Sequence, residues 1–253
     1  MQTSNFPAAP LCQSGWMLDV VDEVASTNSL AGRLAPWHAV RANTQTDGRG
    51  RTGRHWVSDA GGLWLSAVVP CPEPRSRWKI LPLAAGHAVI SALTKFGVSG
   101  LRLRWPNDIM IGSRKLAGLL VERFADDTAV IGLGLNIFNH PEASDPALTA
   151  QTARLVDLVA GEYSIDDVAR LILHALAQIH ARILSDGFGP VADELNRAWL
   201  HRRLVAVTLN GSDLPYTGNF EGIDDQGRLK LALGCGGARL YEPTEVALLR
   251  EIE

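Results

Sequence analysis

QTDGRGRTGRHW, residues 45–56, sets three arginines among glycines and small polar residues and closes on a tryptophan. Glycine has no side chain to hold an anion away, so backbone N–H groups of such a loop reach oxygens closely, and guanidinium forks match phosphate and carboxylate oxygens in pairs. Glycine also loses the most conformational freedom on fixing, so the loop is expected to be mobile until a ligand organises it. Taken alone, the stretch fits a solvated surface loop, an arm for nucleic acid, or a cover over the phosphates of a nucleotide.

Composition narrows these readings. The 253 residues suffice for one large domain, or for a domain of about 200 residues with a small companion. A formal charge of −3 argues against a dedicated nucleic-acid-binding protein, whose domains are usually basic, so a cationic site here is local. MQTSNFPAAPLCQS at 1–14 has no basic stretch followed by an apolar core, and no later apolar run approaches the eighteen or so residues that span a bilayer. A cytoplasmic chain, with no membrane partner and a flexible leader of about fifteen residues, is expected. Cys12, Cys71 and Cys235 are far apart and lack CxxC spacing, which predicts inert thiols.

Strands are expected at Leu18–Val21, Val40–Asn43 and in GLWLSAVV at 62–69, which Pro70 ends. A helix is expected from Thr27 to Leu34 on the cap Ser26, and another from Ile80 to Phe96, its stripe running through Leu83, Ala84, His87, Ile90, Ser91 and Thr94 up to Gly97. Leu101, Leu103 and Trp105 alternate with arginines as in a half-buried strand, and Leu116–Phe124 and Ala129–Leu135 form an antiparallel pair across a polar turn. Residues 139–150 look like an exposed connection. Ser164 and Asp167 make a capping box for a long amphipathic helix that Gly187 stops, and a shorter helix follows from Pro190 to Leu200. Beyond residue 202, short alternating runs separated by turns such as Asn210–Gly211 and Asp224–Gly227 describe a small barrel. The division is therefore 1–202 and 203–253.

Three further stretches carry polar chemistry. STN at 26–28 stands at a strand-to-helix entry, where it is a plain cap or a ligand contact. RWPND at 104–108 ends a strand in what is either a turn or, through Asp108, a place for Mg2+. RKLAG at 114–118 puts Lys115 into an apolar strand, as a snorkelling edge residue or as a charge with an anionic partner.

These stretches, with GLGLN at 132–136 and GIDDQGRLKL at 222–231, together resemble the biotin protein ligases in order and spacing over nearly the whole chain. The resemblance implies an α+β fold, with a mixed, largely antiparallel sheet flanked by helices as in class II synthetase-like ligases, and an SH3-like barrel at the C-terminal end. It implies ATP-dependent activation of biotin to biotinyl-AMP and transfer to a lysine of a biotin carboxyl carrier protein. ATP, Mg2+ and biotin would be needed, without a tightly bound prosthetic group. Ser26, Thr27, Asn28, Gln45, Gly50 and Gly118 would hold biotin, with Arg49, Arg51 and Lys115 as the catalytic cations at its carboxylate. Those three, with Arg54, Trp56, Asn107 and Asn136, would serve the nucleotide, and Asp108 the metal.

For the transfer step, Asp108 as base and a desolvated substrate lysine are both open. A lipoate or octanoate ligase of the related family is the alternative. Departures from the family pattern are Arg104 where lysine is usual, Asp47 where alanine is common, and Thr244-Glu245-Val246 where Gly-Glu-Val is common. Only about fifteen residues precede the first strand, so no DNA binding is expected, and pairing at a sheet edge would allow a homodimer.

Overall fold

The apolar run that Pro70 ends becomes the middle of a sheet. In a computed structural model, which describes residues 15–71, 78–199, 203–212, 214–234 and 236–252, this run is strand β3, Leu63–Pro70. It reads as continuously apolar because both of its faces are covered. Leu63, Leu65, Ala67 and Val69 point into the main core, whereas Val68 joins Ala31, Val40 and Val130 in a smaller cluster on the other face.

Around β3 lie β1 (Met17–Val24), β2 (His38–Gln45), β4 (Leu101–Arg104), β5 (Asp108–Ile111), β6 (Arg114–Ala125) and β7 (Thr128–Leu135). The sheet order is β1-β2-β3-β7-β6-β5-β4. Only β1 and β2 run parallel, so the sheet is mixed and largely antiparallel. Helices α2 (Leu81–Lys95) and α4 (Ile165–Asp186) cover the main-core face together with α5 (Gly189–Ala198). The short α1, Thr27–Ala31, lies on the opposite face, and α3, Pro141–Ser144, sits in the long connection after β7. Ser164 and Asp167 form the expected capping box on α4, which Gly187 ends at φ +76°.

A second sheet is wholly antiparallel: β8 (Arg203–Leu209), β9 (Tyr216–Ile223), β10 (Leu229–Leu233), β11 (Gly237–Tyr241) and β12 (Val246–Glu251), in the order β11-β10-β9-β8-β12. One core runs through both sheets. The Trp199 ring meets Phe220 edge-on at 5.0 Å, and Trp105 Nε1 donates to Gly227 O at 3.0 Å. Such buried indole N–H groups need an acceptor, and here the acceptors tie one sheet to the other.

Several expectations need correcting. Helix α1 stops at Ala31 rather than Leu34, where the chain tightens into turns: Arg33 N donates to Leu30 O at 3.2 Å and Leu34 N to Ala31 O at 2.9 Å, three residues back instead of four. Ser26 stands at the cap position but its side chain does not cap; the Gln45 side chain takes the Thr27 N–H instead, at 2.8 Å. The buried residues of α2 are Leu81, Leu83, Ala84, Ala85, Gly86, Ala88, Val89, Ala92 and Leu93, so Leu83 and Ala84 of the expected stripe are buried, whereas His87, Ile90 and Ser91 are half-buried and Thr94 is exposed. Alanines pack closely against the sheet yet carry little apolar signal, so the larger Ile90 dominated the reading. Strand β5 was not expected: of its residues only Asp108, the end of RWPND, had a reading, and Ile109–Ile111 had none. The connection at 139–150 is only partly exposed, since Asn139 and Pro141 are buried. The expected leader, Cys12, Cys235, Leu200 and the boundary at 202 lie outside the described residues; Cys71 is buried.

Candidate active site

Three glycines create the space for the site. Ser66, Gly132 and Leu120 lie side by side across β3, β7 and β6, as do Trp64, Gly134 and Gly118 one step along. A Cβ on Gly132 would stand 2.3 Å from Asn28 Oδ1, and one on Gly134 would stand 2.5 Å from the Trp56 indole. At Gly118 it would meet the same ring at 3.0 Å and Lys115 Nζ at 3.1 Å. Bare sheet is therefore what lets Asn28, Trp56 and Lys115 lie down on it.

They border a cavity of about 230 Å3. Every residue that the sequence nominated lines it: Ser26, Thr27, Asn28, Gln45, Arg49, Gly50, Arg51, Arg54, Trp56, Asn107, Asp108, Lys115, Gly118 and Asn136. Sequence reading missed Pro141, Leu148 and Thr152 from the long connection and Ala247, Leu248 and Leu249 from β12. Neither segment carries a polar motif, so only folding brings them here.

One end of the cavity is neutral. Gln45 Oε1 accepts from Thr27 N and lies 3.0 Å from Thr27 Oγ1, and Gln45 Nε2 donates to Ser58 Oγ at 2.9 Å. Ser66 Oγ lies 2.8 Å from Thr27 Oγ1 and 2.6 Å from Asn28 Oδ1, while Asn28 Nδ2 donates to Glu122 at 2.7 Å. Asn28 is thus engaged at both ends by the protein. Ser58, Ser66 and Glu122 had no signal in the sequence: Ser66 stands alone in an apolar strand, and Ser58–Asp59 and Glu122–Arg123 match no motif.

The other end is charged. Asp108 Oδ1 is 2.6 Å from Lys115 Nζ, and its Oδ2 is 2.6 Å from Arg104 Nη2. Burial alone would raise the Asp108 carboxyl, but Lys115 and Arg104 outweigh it and hold it below the usual range. Lys115 also lies over the Trp56 ring, 4.8 Å from its centroid, a cation–π contact. The backbone of Lys115 is pinned on both sides, its N–H to Gln151 O at 2.8 Å and its carbonyl to Ala153 N at 2.9 Å. Arg104 does not line the cavity; it backs Asp108. Both Asp108 oxygens are engaged by cations, and the described residues contain no cluster of three or more His, Cys, Asp or Glu side chains suited to a metal. Asp108 is thus arranged as the anion shared by Lys115 and Arg104.

The glycine–arginine loop closes one side. Gly50 N donates to Arg54 O at 2.7 Å and Trp56 N to Gly48 O at 2.8 Å, around a 3-10 turn at Arg51–Gly53. Arg51 Nη2 donates to the carbonyls of Pro243 and Val246, the latter at 3.1 Å, and Arg54 Nη2 to Ala247 O at 3.2 Å. The second sheet thereby holds the loop across the cavity. Burial lowers the Arg51 guanidinium from its ordinary value, Asp108 offsets part of this, and Arg54 adds to the lowering. Arg49 donates to Ser29 Oγ on α1, and Asp47 stands 4.0 Å from Arg49 at the exposed rim. Trp56 Nε1 is buried without a partner among the described residues. Asn107 Nδ2 donates to Leu119 O at 2.7 Å, and Asn136 Oδ1 accepts from Asn139 at 3.1 Å.

A hydrogen-bonding end and a cationic end in one cavity suit a ligand pair, one neutral and cyclic or amide-like, the other phosphorylated. The sequence profile of the Biotin/lipoate A/B protein ligase family matches residues 11–136. A biotin–[acetyl-CoA-carboxylase] ligase of Mycobacterium tuberculosis is 36% identical over 236 residues, covering 87% of this chain and 85% of the relative. The chain belongs to the biotin protein ligase family. The corresponding ligase of Paracoccus denitrificans is 31% identical, with 87% of this chain and 96% of the relative covered. The fold agrees with that of a biotin protein ligase from Aquifex aeolicus in complex with biotin and ATP: TM-score 0.81, 24% identity, 93% of this chain and 99% of the other covered. Within this family frame, the mixed sheet with its helices and the terminal antiparallel sheet stand as expected.

Proposed function

We propose that the chain activates biotin with ATP and transfers it to a lysine of a biotin carboxyl carrier protein, as a biotin–[biotin carboxyl-carrier protein] ligase. The observation that carries this reading is the single cavity with a neutral hydrogen-bonding end and a cationic end. The relatives at 31–36% identity are biotin ligases, which favours biotin over lipoate or octanoate.

The neutral end, with Ser26, Thr27 and Gln45, holds the ureido ring; Asn28 shapes that end rather than contacting the ring, and Gly50 and Gly118 admit the ligand closely. The carboxylate then points toward Lys115, Arg49 and Arg51, and the nucleotide lies along Arg54, Trp56, Asn107 and Asn136. A carboxylate approaching an anionic α-phosphate is opposed by about 4 kcal/mol per unit-charge pair at 4 Å in a medium of effective dielectric near 20. Arg49, Arg51 and Lys115 neutralise that repulsion and stabilise the charge that grows on phosphorus in the transition state. The carboxylate oxygen forms a bond to the α-phosphorus and pyrophosphate leaves, giving biotinyl-AMP. No nucleophilic side chain takes part; the work is positioning and electrostatics.

Mg2+ accompanies ATP on its phosphates, which are its usual ligands in such sites. In the transfer step the carrier lysine attacks the acyl carbon and AMP leaves. Asp108, held anionic by two cations, is a poor proton acceptor, so the incoming amine loses its proton through desolvation instead. Residues 1–202 form the catalytic unit and 203–253 an SH3-like barrel that backs the loop. Strand β1 is a sheet edge that exposes Met17 and Val20, the surface through which two copies would pair. No helix among the described residues is long and apolar enough to cross a membrane, and the reading places the enzyme in the cytoplasm with its carrier protein.

Incubation with biotin, α-labelled ATP and Mg2+ is expected to yield labelled biotinyl-AMP, and addition of carrier protein is expected to yield the biotinylated lysine. Formation of a lipoyl or octanoyl adenylate in place of biotinyl-AMP would overturn the assignment.

A further inference from the structure

The neutral end of the cavity is short of one proton. Four oxygens stand in a row: Gln45 Oε1, Thr27 Oγ1, Ser66 Oγ and Asn28 Oδ1, at successive separations of 3.0, 2.8 and 2.6 Å. The two ends of the row are fixed as acceptors. Gln45 must turn its carbonyl inward because the Thr27 backbone N–H, an obligate donor, is 2.8 Å away, and its amide nitrogen is taken by Ser58. Asn28 must turn its carbonyl inward because Leu120 O and the Glu122 carboxylate, which only accept, surround its nitrogen. Between these ends stand two hydroxyls, each with one proton, and three oxygen–oxygen contacts to fill.

Ser66 is wholly buried and Asn28 Oδ1 has no other donor among the described residues, so the shortest contact takes the Ser66 proton. The Ser66 oxygen then becomes the acceptor for Thr27, which turns its proton away from the cavity. Thr27 Oγ1 and Gln45 Oε1, both on the cavity wall, are left facing each other with lone pairs and no proton between them. A donor from the ligand, reaching both oxygens, relieves that arrangement.

We propose that Ser66 is a positioning residue that makes Thr27 Oγ1 and Gln45 Oε1 a joint acceptor for a ligand N–H. This rests on the reading that the neutral end holds the ureido ring of biotin. Ser66 does not line the cavity; it acts by drawing the Thr27 proton to itself, away from the cavity. Without it, Thr27 donates to Gln45, the acceptor pair closes on itself, and the site loses its demand for an N–H.

The test compares biotin with its two cyclic carbamates, in each of which one ureido N–H is replaced by oxygen, by calorimetric titration without nucleotide. The wild type is expected to reject at least one carbamate by about tenfold or more, since it sets a lone pair against two buried acceptors. In Ser66→Ala that preference is expected to fall below about threefold, while KM for ATP stays within about twofold of wild type. Ser66→Cys, which keeps a weak donor of similar shape, is expected to retain part of the preference, and it serves as the readout if the alanine variant does not fold. An unchanged preference in either variant, or a wild type that binds biotin and both carbamates alike, overturns the proposal. A wild type that does not bind biotin at all overturns the proposed function instead.

Discussion

At one end of the cavity Thr27, Ser66 and Gln45 carry no charge and bind one another; at the other, Asp108 lies between Arg104 and Lys115 with Arg51 nearby. The neutral end recognises by direction, because a hydrogen bond made badly leaves a buried group unsatisfied. The charged end works by field, which acts over longer distances and grows with the charge that develops during reaction. Ground-state selection and rate acceleration are thus separated in space within one cavity, and each end can be perturbed alone.

The sharpest separation is expected from Lys115→Ala. Removing this amine is expected to lower the rate of adenylate formation by about a hundredfold or more, the scale of losing one electrostatic contact to a developing charge. Biotin binding without nucleotide should weaken far less, by about tenfold at most, because the ureido contacts at the other end remain and Arg49 and Arg51 still face the carboxylate. Equal losses in both measurements would mean that the two ends do not act separately.

A pair of glycine variants reads the same division from the sheet. Gly134→Ala places a methyl group 2.5 Å from the Trp56 indole and is expected to raise KM for ATP about tenfold. Gly132→Ala places one 2.3 Å from Asn28 Oδ1 and is expected to weaken biotin binding by about the same factor. Each should leave the other ligand nearly unaffected, as steady-state kinetics with either substrate varied would show. Exchanged effects would reverse the assignment of the two ends.

The smallest expected effect concerns stability against pH. Asp108 has its carboxyl held below the ordinary value, about 3.9, so its stabilising contribution is complete above that pH and is lost as pH falls through the depressed value. Asp108→Asn is expected to lower Tm by about 3–6 °C at pH 7, leaving Arg104 and Lys115 without their shared anion. The gap should close only below about pH 3.9, where the wild-type carboxyl also protonates. A gap that closed near pH 6 would point to a different titrating group.

Much of this cavity was legible before folding was considered, because its residues come in clusters. STN, the glycine–arginine loop, WPND and KLAG each place several polar or glycine residues together, and such clusters stand out against an apolar background. Ser66 did not stand out, since a single polar residue in a strand reads as an interruption of the pattern, and neither did Ser58 and Glu122, whose polar neighbours Asp59 and Arg123 complete no motif. Their meaning depends on neighbours far along the chain: Ser66 on Thr27 and Asn28, Glu122 on Asn28. The same holds for Ala247, which gives its carbonyl to Arg54 from nearly the other end of the molecule. The stripe of α2 was only partly legible, Leu83 and Ala84 being buried as expected, because its other buried alanines fill a narrow space by being small rather than by being strongly apolar.

Most of the strands and helices in their order, the capping box on α4 and the gathering of cations in a glycine-rich loop were determined by the sequence itself, since they follow from local periodicity, capping chemistry and glycine content. Which oxygen faces which, that Asp108 is shared by two cations, and that the second sheet holds the loop arginines were decided only in the tertiary structure. Hydrogen-bond polarity and ion pairing depend on separations of a few tenths of an ångström between residues distant in the chain, and no local pattern encodes those separations.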